Sequence, residues 1–149
     1  MSHSIDEQTV TRLLEGLPHP MWERELYDRE CQRHDVMRLG DSVFYTTPLD
    51  VAPEVIRDVV ALAQNAASYT PKAPGEFRRC GRFHADYAVE WSDSGSMRQV
   101  LICFGCGEAI LRSPHSAHHV DLTPHAEKSL TTLLNGVRQL RPLRPGLRR

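Results

Sequence analysis

Two cysteines in the second half of the chain, Cys103 and Cys106, are the residues best suited to chemistry. They belong to a C-x-x-C-G run that ends at Gly107 and follows an apolar stretch beginning at Val100. At the end of a strand, such a run places two sulfurs at one turn. There the sulfurs can share a metal ion, form a redox pair or simply fill space in the core.

A zinc site is the first interpretation of this run. The turn lets two thiolates converge, and the glycine that follows frees backbone N–H groups to point at sulfur. Two further candidate ligands, Cys80 and His84, lie upstream and complete a C-x3-H-x18-C-x2-C spacing. This spacing is close to that of Cys3His zinc sites, so we predict a zinc ion held by Cys80, His84, Cys103 and Cys106.

Two other interpretations of the cysteines stay open. A thiol redox protein needs a long helix directly after the motif to lower the pKa of its first thiol. Here Ser113-Pro114 stops any such helix after a few residues. Inert cysteines that only pack are the other interpretation, since free cysteine behaves as a small hydrophobe. The fourth cysteine, Cys31, lies among charged residues and is not assigned to a site.

Other groupings of polar residues are weaker signals. His84 and Asp86 lie on one side of a predicted strand and could form an acid–base pair, although alternation of this kind is typical of a solvated face. Three histidines fall in a predicted loop over 114–119. Neither a G-x-S-x-G nor an H-E-x-x-H motif is present, so the sequence favours a role other than catalysis.

Composition and charge narrow the class of protein. At 149 residues, with 40% hydrophobic residues, the chain fits a soluble globular domain. It shows no signal peptide or membrane span, so we expect a cytoplasmic protein with reduced thiols. The last twelve residues carry five arginines and no acid, leaving thirteen Lys+Arg against nineteen Asp+Glu elsewhere. An acidic body argues against nucleic-acid binding and fits a protein partner, as in an adaptor or immunity protein.

Hydrophobic periodicity predicts an α+β fold. We expect one domain over residues 1–140, in which a small antiparallel sheet packs against two helices, and a flexible Arg/Pro-rich tail over 141–149. The sheet would contain a hairpin over about 82–104 and strands near 43–47 and 108–112. The helices would span about 52–67 and 124–140, with a shorter helix over about 6–15, an irregular or weakly helical stretch over 18–34 and a loop over 68–75. The hairpin would bring Cys80 alongside Cys103.

Two segments of the chain resemble a group of small bacterial proteins with no known activity. The segments are Cys80-Gly-Arg-Phe-His-Ala-Asp-Tyr-Ala-Val-Glu-Trp and Val100-Leu-Ile-Cys-Phe-Gly-Cys-Gly-Glu, and the predicted helix that follows them, ending near Arg141-Pro142, shares the resemblance. The group pairs an F-H-P-D-Y-A-like strand with an I-C-F-G-C strand, and the resemblance covers roughly the C-terminal half of the chain. This chain has Ala85 in place of the proline and Gly107 where a histidine is frequent. The resemblance implies the fold and a bacterial, cytosolic setting, and it implies no reaction.

Overall fold

The structure is a computed structural model that describes residues 11–72, 83–134, 137 and 139–142. Within these residues it contains three α-helices and eight β-strands. The helices are α1 (Arg24–Arg33), α2 (Pro53–Ala63) and α3 (Pro124–Leu134). The strands are β1 (Arg12–Glu15), β2 (Val36–Leu39), β3 (Ser42–Tyr45), β4 (Tyr69–Pro71), β5 (Tyr87–Asp93), β6 (Ser96–Cys103), β7 (Glu108–Ser113) and β8 (Ser116–Leu122). The predicted α+β class is confirmed.

Six strands form one antiparallel sheet in the order β1-β5-β6-β7-β8-β4. The predicted hairpin is its centre, since β5 pairs with β6 from Tyr87 opposite Ile102 to Asp93 opposite Ser96. Its first strand begins at Tyr87, later than predicted, because residues 83–86 are not in a strand. Ser94 and Gly95 connect the two strands, both with positive φ, 52° and 82°. A turn of this kind matches the right-handed twist of the paired strands. The predicted strand over 108–112 also forms and continues the sheet as β7.

Both faces of this sheet are covered by clusters of buried apolar side chains. On one face Tyr87, Val89 and Trp91 of β5 pack with α2 and α3, whose buried residues include Val59 and Leu130. This confirms that the two predicted helices form, but both were predicted too long: α2 ends at Ala63, and residues 137, 139 and 140, expected in the second helix, are not helical. On the other face, a smaller cluster joins the main sheet to the hairpin of β2 and β3; its buried members are Leu14, Leu39, Phe44, Ala85, Ala88 and Leu101.

Several elements differ from the prediction. The strand expected near 43–47 forms as β3 but pairs with β2 in a separate two-stranded sheet, which a single bridge between Gly16 and Phe44 links to the N-terminal strand region. The helix expected over 6–15 is wrong where it is described, because Arg12–Glu15 is strand β1. The stretch over 18–34, expected to be irregular or weakly helical, contains the ten-residue helix α1. The loops expected over 68–75 and 114–119 are also wrong in part, because they contain β4 and the start of β8.

The described helices are short. None of them is long and apolar enough to cross a membrane. The proposed division into a domain over 1–140 and a tail over 141–149 stays a prediction, since 143–149 lie outside the described residues.

Candidate functional site

The two cysteines of the C-x-x-C-G run meet at the turn between β6 and β7. Cys103 is the last residue of β6 and Glu108 the first of β7, so four residues reverse the chain. Gly107 closes the turn with a φ of 64°, in the left-handed region that glycine enters without steric cost. The reversal brings the Cys106 Sγ to 2.6 Å from the Cys103 Sγ, and the Cys106 thiol donates to it. Cys103 is 2% exposed and Cys106 is half-buried.

The surroundings of Cys103 favour its thiolate form. The hydrogen bond from the Cys106 thiol is the largest influence and lowers the pKa of Cys103 to about 7, against the opposing effect of burial. Backbone N–H groups of His84 and Cys106 also point at this sulfur and lower its pKa further, while the charge of Asp86 raises it. A thiolate held by amide donors can act as a metal ligand or a nucleophile.

His84 contributes its backbone to this centre, and its ring bonds elsewhere. The imidazole Nε2 lies 2.7 Å from the Leu17 carbonyl oxygen, so Nε2 carries the proton and donates. Nδ1 lies 3.9 Å from the Asp86 carboxylate. Burial lowers the pKa of His84 and keeps the ring neutral near pH 7. The ring also lies against His19, with their centroids 4.9 Å apart.

The four-residue zinc site remains a prediction. Cys80 lies outside the described residues. Of the other three predicted ligands, Cys103 and Cys106 come together, and the His84 imidazole bonds instead to Leu17. Within the part of the chain that the structure describes, no three His, Cys, Asp or Glu side chains are arranged to hold a metal ion.

The position of Asp86 beside the turn and its pairing with Arg141 were not anticipated from the sequence, which indicated Asp86 only as a possible acid–base partner of His84. Asp86 Oδ2 accepts the backbone N–H of Phe104 at 2.9 Å, directly after Cys103. Asp86 Oδ1 accepts from Arg141 Nη1 at 3.0 Å. Arg141 Nη2 lies 3.5 Å from the Glu23 carboxylate. Arg141 follows Asp86 by 55 residues, and no local pattern in the sequence indicates the pair.

A second polar cluster begins directly after the turn. Glu108 is 2% exposed, and its carboxylate accepts from Lys72 Nζ and from His119 Nε2, the latter at 2.6 Å. Lys72 Nζ also lies 3.7 Å from Asp121. Burial raises the pKa of Glu108, but the hydrogen bonds from Lys72 and His119 outweigh it and leave the pKa below its usual value. The cluster therefore joins β7 and β8 to Lys72, the residue after β4.

The Cys103 thiol should titrate near neutral pH. In a C31S/C80S background, thiolate ultraviolet absorbance should show one of the two remaining thiols ionising near pH 7. Adding Cys106→Ala removes the thiol donor, and we expect the midpoint for Cys103 to rise by about one unit. A midpoint above pH 8.5 in the C31S/C80S protein would contradict this account. Because the folded pKa is depressed, the associated stability is present above pH 9 and declines as pH falls through about 7.

Comparison of the chain with protein-family models, curated proteins and solved structures finds no match. The functional assignment therefore rests on the geometry of the β6–β7 turn and the groups around it.

Proposed function

We propose that the protein binds a zinc ion through the thiolates of Cys103 and Cys106 at the β6–β7 turn. One observation supports this most: two sulfurs converge on a C-x-x-C-G turn while backbone N–H groups of His84 and Cys106 point at the Cys103 sulfur. The thiolate is the form that binds zinc, and amide donors stabilise it without competing for the ion.

Zinc binding would require a small rearrangement of the two sulfurs. Their separation of 2.6 Å is shorter than the edge of a tetrahedral zinc site, roughly 3.8 Å for zinc–sulfur bonds of ~2.3 Å. Cys106 lies on the turn and is half-buried, so rotation of its side chain can open this distance. Cys103 belongs to a central strand and would keep its position.

Cys80 is the proposed third ligand. It precedes His84 by four residues, and the His84 backbone N–H contacts the Cys103 sulfur. Four residues of extended chain span at most about 14 Å, so Cys80 is within reach of the centre. His84 would join as the fourth ligand only by giving up its bond to the Leu17 carbonyl.

The role proposed for the ion is structural. The turn joins two strands in the middle of the sheet, and Cys103 is 2% exposed beneath it. An ion held there would fix the turn and add its binding free energy to folding.

The zinc content of cysteine variants should distinguish the proposed ligands, Cys103 and Cys106, from Cys31, which is not assigned to the site. Untagged protein from zinc-supplemented culture should contain close to one zinc per chain, about 1:1, since a structural site is near stoichiometric. Cys106→Ser, at the half-buried position, should lose most of this zinc, and Cys103→Ser likewise. Cys31→Ser is the matched control and should retain it. Wild-type protein with less than about 0.2 zinc per chain would exclude the site.

A dithiol–disulfide couple is the second candidate function. The observation that favours it is the same 2.6 Å separation, since the sulfurs need to approach by only about 0.5 Å to bond at ~2.05 Å. Oxidation would release two protons and pass two electrons to a partner disulfide, which would become two thiols. The strand after Cys106, in place of a long helix, weighs against this candidate. Zinc-free protein with a reversible Cys103–Cys106 disulfide would favour it over zinc binding.

A further inference from the structure

Buried groups of the sheet hold the chain after α3. The Glu15 carboxylate is 0% exposed and accepts two backbone N–H groups, from Gln139 at 3.1 Å and Leu140 at 2.8 Å. The Tyr87 hydroxyl donates to the Val137 carbonyl at 2.7 Å. A buried carboxylate that accepts backbone donors costs free energy if those donors leave. The C-terminal segment, defined here as residues 137 and 139–142, is therefore anchored along the sheet.

Arg141 extends this anchoring to the cysteine turn. Its side chain is only 14% exposed and lies between two carboxylates, Asp86 at 3.0 Å and Glu23 at 3.5 Å. Hydrogen bonds between charged groups in shielded places are stronger than neutral ones. The second oxygen of Asp86 accepts the Phe104 N–H, so one carboxylate holds both the C-terminal segment and the residue directly after Cys103.

We propose that Arg141 and Asp86 form a clasp that couples anchoring of the C-terminal segment to metal binding at the Cys103–Cys106 turn. The proposal rests on the zinc site proposed above. Arg141 fixes the Asp86 carboxylate, and the carboxylate fixes the Phe104 peptide that sets the turn. Because coupling between two sites is reciprocal, a bound ion should also hold the C-terminal segment more tightly.

Charge and positioning make opposite predictions for Arg141. Removing a positive charge near a cation site would strengthen zinc binding if charge alone mattered. Removing a group that holds the Asp86 carboxylate would loosen the turn and weaken binding, as for other partners that orient metal ligands. The sign of the effect of Arg141→Gln therefore separates the clasp from simple electrostatics.

The first test measures zinc affinity by chelator competition. Arg141→Gln should weaken affinity by about tenfold or more, and Arg141→Lys should recover part of the loss. Asp86→Ala should weaken it at least as much as Arg141→Gln. Asp86→Asn keeps an oxygen that can accept the Phe104 N–H and should lose less.

Arg12→Gln is the matched control, since Arg12 also pairs with a buried carboxylate, that of Glu90, through its Nε at 2.7 Å. Its zinc affinity should stay within about twofold of the wild-type value. Unchanged or tighter zinc binding in Arg141→Gln would overturn the clasp.

The second test follows backbone hydrogen exchange. Zinc should slow exchange at Gln139 and Leu140 by about tenfold in wild type and leave it unchanged in Cys106→Ser. Equal rates with and without bound zinc in wild type would overturn the coupling.

If wild type binds no zinc, the proposed function fails, and the metal-free protein still tests the clasp. There Arg141→Gln should speed exchange at Phe104 together with Gln139 and Leu140. Faster exchange at the C-terminal segment with no change at Phe104 would overturn the clasp, whatever the metal result.

Discussion

Replacing Gly16 by alanine is expected to destabilise the protein by about 3 kcal/mol or more, a large part of the stability of a domain this size. An ideal Cβ at this position would lie 2.0 Å from the Ala85 carbonyl oxygen and 3.1 Å from that of Asp86. Both are backbone atoms, so no side-chain rotation relieves the contact. Moving the chain away would break the Gly16 N–H bond to the Asp86 carbonyl, 2.8 Å long.

Urea denaturation checks this expectation against a matched glycine. At Gly40, with a φ of 62°, an added Cβ meets nothing within 4 Å. Gly40→Ala should therefore cost only the left-handed backbone strain, about 1 kcal/mol. Similar free energies of unfolding for Gly16→Ala and wild type, or equal losses at both glycines, would show that the close approach of Gly16 to Ala85 is not required.

Glu108→Ala is the second change with a large expected effect. Glu108 is 2% exposed, and its carboxylate accepts from Lys72 and His119. Removing one member of a buried charged set leaves the others without their partner and costs about 3 kcal/mol. Glu108→Gln should lose less, since its amide oxygen can still accept a hydrogen bond. Glu54→Gln, at an exposed glutamate of α2, is the control and should change stability by less than about 0.5 kcal/mol.

The effect of Glu108 should depend on pH. Burial raises the pKa of this carboxyl, but the Lys72 and His119 bonds lower it more, so the folded value lies below the unfolded one. The carboxylate then contributes stability above the unfolded pKa of about 4.3, and this contribution is lost as pH falls through the folded pKa. Urea titrations from pH 7 to pH 3 should show the difference between wild type and Glu108→Gln shrinking below about pH 4. A difference that stays constant or grows would contradict this sign.

The central hairpin was predictable because its signals are local. Apolar residues alternate along β5, and Ser94 and Gly95 supply the turn. The α2 helix was predictable for the same reason, since Val59 and Ala63 lie one turn apart on its buried face.

The type of element was predicted wrongly where the hydrophobic periodicity is mixed or weak. In β1, the neighbours Leu13 and Leu14 are both fully buried, on opposite faces of a sheet covered on both sides. Two adjacent leucines do not alternate, so the sequence resembles a helix more than a strand. In β8, His118 and His119 continue a strand held mainly by its pairing with β7, and polar residues that are exposed or only partly buried carry no strand signal.

The candidate site also has one part that could be predicted from the sequence and one part that could not. The Cys103–Cys106 turn is encoded within five residues and is visible in the sequence. The contacts that surround it span long separations, such as Arg141 to Asp86 and Lys72 to Glu108. Such contacts depend on how the whole chain folds, and the sequence contains no local sign of them. The protein partner expected from the uneven charge stays a prediction.

Cysteine labelling with and without zinc tests the metal proposal most directly. Native, reduced protein is alkylated for increasing times, and each cysteine is followed by mass spectrometry. Zinc bound by thiolates should slow labelling of Cys106, and of Cys103 where it reacts at all, by about tenfold or more, because a coordinated sulfur is a poor nucleophile. Labelling of Cys31, which is half-buried and is not a proposed zinc ligand, should not change. Equal labelling rates at Cys106 with and without zinc would contradict the account.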